Sequence, residues 1–87
     1  MKLWIDDIRP APIGWVWAKT SKQAIRIIKD VKKANIISFD HDLGGNDTTR
    51  PVMIYIITNK IPVGEVLCHS ANPVGREWIL EMAKRYL

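Results

Sequence analysis

Three short apolar runs in this chain end abruptly at polar residues, and that pattern limits its fold more than any other feature. Lys2–Ile5 (KLWI) ends at Asp6-Asp7, Ile36–Phe39 ends at Asp40-His41-Asp42, and Val63–His69 is followed by Ser70. Apolar runs without polar alternation suit strands covered on both faces, as in a parallel sheet. Between them the spacing turns helical. Thr20 and Gln23 have the separation of a capping box, and Ala24, Ile27, Ile28 and Val31 form an apolar stripe behind them. Asn72 caps a last helix with Pro73 at its first position. Val74, Trp78, Met82 and Tyr86 line one side of that helix, joined by Ile79 and Ala83.

Two segments are less plain. Trp15-Val16-Trp17-Ala18 follows a loop marked by Pro10, Pro12 and Gly14, and reads as a short edge strand with both tryptophans on one face. In residues 52–58, β-branched content favours a strand. Pro51 at a first helical position and the need for a crossover favour a helix, and a helix is expected. The order predicts an α/β fold: a short parallel sheet of three to four strands with about three helices over its faces.

Size and charge narrow the class. Eighty-seven residues make one small domain, residues 1–87, which buries only roughly 60% of its unfolded surface. Cys68 is the single cysteine, so there is no disulfide or zinc framework, and a reducing, cytoplasmic setting is expected. No run approaches the ~18 apolar residues of a membrane span, and the start of the chain does not read as a signal peptide. The net charge of +4 is unevenly spread: residues 15–35 carry six basic side chains and one acid, and residues 36–51 one basic side chain and three acids. The basic stretch reads as a solvated helix face or as a patch that steers an anionic ligand. The acids stand at strand ends.

In open α/β sheets, ligands bind beyond the carboxyl ends of the strands. Here that edge would gather Asp6, Asp7, Asp40, Asp42, His41, His69 and Ser70. Four aspartates on one edge repel unless a hard cation such as Mg²⁺ or Mn²⁺ offsets them, so they are the candidate metal ligands. Asp at loop starts is common without any metal, which is the plainer explanation. The segment Asn72-Pro73-Val74-Gly75-Arg76 would place a helix N-terminus beside them, where backbone N–H groups and Arg76 can hold phosphate oxygens and Gly75 permits close approach. Ser70 and Asn72 complete that candidate phosphate site. His41 and His69 are the candidate proton-transfer groups, with Asp40. Cys68 and His69 should face opposite ways along a strand, which leaves Cys68 as a core filler and not a nucleophile. The tryptophans are expected in the core and not as base-stacking platforms, with Trp15 or Trp17 as the ones that could lie beside the loop.

These residues occur in a familiar combination. Asp6-Asp7 after one strand, Asp40 after another and Ser70-Ala71 after a third resemble the receiver domains of bacterial response regulators. More closely, WIDDIRPAPIGWVWAKT, ISFDHDLG and HSANPVGR resemble the cyclic-phosphate processing receiver domains, over almost the whole chain. The resemblance implies a truncated receiver, flavodoxin-like topology, with Asp6, Asp7 and Asp40 as metal ligands. It also implies Asp40 at the phosphoacceptor position, Ser70 contacting a phosphoryl group, and a role with cyclic phosphate ends, as of RNA. The fifth strand of a receiver and the Lys after it have no counterpart here, and His41 and His69 are not part of the receiver pattern. Three readings follow. One is a metal-dependent binder or hydrolase of a phosphoester such as a 2′,3′-cyclic phosphate on RNA or a nucleotide. The second is a regulatory switch phosphorylated on Asp40. The third is a non-catalytic interaction module, with a partner protein or a second copy as its target.

Overall fold

The computed structural model describes residues 1–87. It contains β1 (Lys2–Ile5), β2 (Val16–Ala18), α1 (Ser21–Val31), β3 (Ala34–Phe39), α2 (Arg50–Thr58), β4 (Val63–Cys68) and α3 (Pro73–Tyr86). The strands form one sheet in the order β2-β1-β3-β4, and every neighbouring pair is parallel. This is a truncated receiver topology. Residues 52–58 are helical, as the crossover from β3 to β4 requires, since parallel strands cannot be joined by a tight turn. No helix of the protein is long and apolar enough to cross a membrane.

Local chemistry explains the helix ends. The Thr20 hydroxyl accepts from the Gln23 amide at 3.1 Å, while the Gln23 side chain accepts from the Lys19 amide at 2.8 Å. One first-turn donor and the amide just before the cap are thereby satisfied. Asp47, from the distant loop after β3, accepts from both the amide and the hydroxyl of Ser21, at 2.9 and 2.6 Å. This second cap ties the 42–48 loop to α1. At α3, the Asn72 side chain accepts from the Gly75 amide at 3.1 Å.

Leu3, Ile5, Ile37 and Phe39 alternate along β1 and β3 and enter one buried cluster with Ala24, Ile28, Val52, Met53, Ile56 and Ile79. All three helices contribute to that cluster, so they share one face of the sheet. This corrects the expectation of helices over both faces. The register puts Lys2, Trp4, Trp17, Ile36, Ser38, Glu65 and Leu67 on the other face. The link from β1 to β2, residues 6–15, has no helix, and tryptophans take its place. The Trp4 indole donates to the Arg9 carbonyl at 2.9 Å, and the Trp17 indole donates to the Asp6 carbonyl at 2.7 Å. Trp15 packs edge-on against Trp4, with ring centres 6.0 Å apart. Only Trp78, among the four, packs against the helical core.

Candidate functional site

Strand register assembles the site. Ile5 pairs with Phe39, and Phe39 with Cys68, so the next residues of three strands, Asp6, Asp40 and His69, emerge side by side. Backbone bonds continue past the strand ends: the Asp40 amide donates to the Ile5 carbonyl at 2.9 Å, and the His69 amide to the Phe39 carbonyl at 3.0 Å. One ligand atom from each of Asp6, Asp40 and His69 lies within 4.8 Å of the others.

Asp6 is buried and fully engaged. Its Oδ1 accepts from the amides of Ile8 and Arg9, both at 2.8 Å. Its Oδ2 accepts from Arg9 Nε at 2.8 Å and from His69 Nε2 at 3.0 Å. Burial alone would raise the pKa of this carboxyl. The two amides, His69 and the Arg9 charge outweigh burial and hold it below the ordinary 3.8. Arg9 also reaches Asp40 Oδ2 with Nη2 at 3.3 Å. Burial would lower the Arg9 value, but the two carboxylates raise it.

His69 is clamped on all sides. Its ring stacks on Trp4 with centres 3.8 Å apart and planes 4° from parallel. Nδ1 lies 2.7 Å from the Ser38 hydroxyl. With Asp6 ionised, Nε2 carries a proton toward it, and Ser38 can donate to Nδ1 of the uncharged ring. Burial, acting first, moves the His69 value below 6.5 despite the Asp6 carboxylate.

A second network lies beside the first. His41 is buried, with Nδ1 3.0 Å from Asp42 Oδ1 and Nε2 2.9 Å from Arg50 Nε. A guanidinium only donates, so Nε2 accepts and the ring proton sits on Nδ1, facing Asp42. Asp42 Oδ2 also accepts from the Asn72 side chain at 3.0 Å. These two bonds, Asn72 first, lower the pKa of Asp42. Arg50 lies over the Trp78 ring, 4.6 Å from its centre. The His41 ring fills the space beside Gly75, where any Cβ would overlap it. The glycine expected to admit a ligand instead admits a histidine.

The rim thus divides the predicted residues. Asp6, Asp40 and His69 form one cluster; Asp7 and Asp42 are not in it. Asp7 is half-buried and faces the Gly44 turn, and Asp42 belongs to the His41–Asn72 network. Ser70 is half-buried and its hydroxyl accepts from the Asn72 amide at 3.1 Å. Arg76 is exposed and donates to the Cys68 carbonyl. Cys68 packs against the core, and burial raises its thiol. Two carboxylates and an imidazole are ligand types that a divalent cation such as Mg²⁺ or Mn²⁺ accepts. The donor set fits, although Arg9 holds both carboxylates.

Arg9, Ser38, Asp47 and Arg50 were not singled out from sequence. Ser38, the one hydroxyl inside an apolar run, carried a readable signal, as did Arg9 at the turn distance from Asp6. Asp47 and Arg50 carried none, because their partners are set by tertiary packing. The profile of the cyclic-phosphate processing receiver domain family matches residues 1–85. No curated protein and no solved structure matches the chain.

Proposed function

We propose, from the premise that this chain belongs to the cyclic-phosphate processing receiver domain family, that its rim binds and processes a phosphoester such as the 2′,3′-cyclic phosphate end of an RNA or nucleotide. The observation that carries this reading is the convergence of Asp6, Asp40 and His69 within 4.8 Å at the carboxyl ends of three parallel strands. Asp6 and Asp40 would hold a divalent cation, Mg²⁺ or Mn²⁺, which when bound would offset phosphoryl charge and polarise the P–O bond.

The other parts follow from the chain's own groups. Ser70 and the first turn of α3 border the rim, where the positive end of the helix dipole favours an anion. Arg76 stands on that turn and can turn from the Cys68 carbonyl to a phosphate oxygen. His69 borders the carboxylates and is the proton-transfer group of this reading. Ser38 and Trp4 hold its ring in place. His41, pinned between Asp42 and Arg50 and pressed on Gly75, positions the α3 N-terminus. Basic side chains of α1, such as Lys22 and Arg26, would draw an RNA end toward the rim in a salt-dependent way.

Titration with an oligonucleotide ending in a 2′,3′-cyclic phosphate, with and without Mg²⁺, tests the reading. Binding or ring opening that needs the metal and is lost in Asp40→Asn is expected. No binding and no hydrolysis under any metal condition would overturn it.

A further inference from the structure

Arg9 is the side chain at the rim whose placement the reading above leaves unused. Its guanidinium bonds Asp6 Oδ2 at 2.8 Å and Asp40 Oδ2 at 3.3 Å, and so bridges the two carboxylates of the cluster. Asp6 Oδ1 is committed to the amides of Ile8 and Arg9, which leaves Oδ2 as the Asp6 oxygen whose partners are side chains. The Arg9 backbone is fixed by its amide on Asp6 and by the Trp4 indole on its carbonyl. The side chain is not fixed in the same way: it is 51% exposed, with solvent on its outer side. A divalent ion on both carboxylates would stand against a permanent positive charge already bonded to the same oxygens.

We infer that Arg9 is the resident counter-cation of the Asp6–Asp40 pair, and that a divalent cation enters only by displacing its guanidinium. This rests on the metal reading proposed above. The rim then has two states, exchanged by one side chain. In the first, Arg9 neutralises the buried carboxylates and holds the fold without metal. In the second, the cation holds them and the freed guanidinium fork faces the phosphate pocket. A planar, permanently charged fork suits phosphate oxygens there. Lysine would keep the charge but lose the two-carboxylate bridge.

The test is calorimetric titration of the full chain with Mn²⁺ alone, for the wild type, Arg9→Gln and Arg9→Lys, with thermal melts at each metal concentration. Arg9→Gln should bind Mn²⁺ about ten-fold tighter or more, the scale on which one nearby charge moves an ionic equilibrium. Arg9→Lys should fall between it and the wild type. Mn²⁺ should raise the melting temperature of Arg9→Gln more than that of the wild type, and Asp40→Asn should abolish both effects. Should Arg9→Gln be unfolded without metal, its refolding on Mn²⁺ addition is the expected result. Tight and equal binding by wild type and Arg9→Gln would overturn the exchange while leaving the metal site standing. Absence of Mn²⁺ binding in every variant would overturn the metal reading and the exchange with it.

Discussion

At the residue scale, the site depends on how a few polar groups are kept in their ionisation states. Asp6 is held below 3.8 and His69 below 6.5, so in both cases the unfolded chain takes up a proton more readily than the folded one. Stability contributed by each group is therefore present above its ordinary value and is lost as pH falls below it. The urea midpoint should be level between about pH 7 and 8 and fall on the acid side in two stages, one below roughly 6.5 from His69 and one below roughly 4 from Asp6. His69→Gln should remove the upper stage, and chemical denaturation across pH would show it. Gly75 gives a second prediction. A Cβ there collides with the His41 ring, so Gly75→Ala should cost about 2 kcal/mol or more of unfolding free energy. Gly75→Ala as stable as the wild type would mean that the ring moves aside freely.

At the element scale, strands and helices were legible because each has a local cause. The apolar runs, the Thr20 cap and the Asn72–Pro73 start are contained in a few neighbouring residues, and the helix over 50–58 follows from chain connectivity. The loop after β3 is different. Its anchor is Asp47 on the Ser21 amide and hydroxyl, a pairing between residues that no local rule connects. Asp47→Ala should destabilise the protein by about 1–2 kcal/mol, the range of an N-cap with a charged acceptor. It should also loosen residues 42–48, which carry Asp42. Urea unfolding gives the first effect and amide exchange the second; faster exchange confined to this loop and the start of α1 is expected. The divided rim has the same origin. Asp6, Asp40 and His69 could be grouped from strand ends alone, but the separate fate of Asp42 depends on Asn72 reaching it from the start of α3.

At the scale of the whole molecule, the sheet has helices on one face and three tryptophans on the other, and its longest exposed edge is β4. That strand has six residues and a single charge, Glu65. Unpaired edge strands associate unless a charge or bulge prevents it, so Glu65→Val should increase self-association, read by sedimentation velocity at several concentrations. A variant that stays as monodisperse as the wild type would show the edge to be protected in another way. Composition and spacing along the chain determined the α/β class, the parallel sheet and the carboxyl-end rim, since strand period, helix period and connection rules all act between near neighbours. Tertiary structure decided which face lies bare of helices, that Trp4 stacks on His69, that His41 fills the space beside Gly75, and that Arg9 bridges Asp6 and Asp40. Those contacts come from register and packing between segments far apart in sequence, where the identity of one side chain does not name its partner until the fold has brought the two within reach.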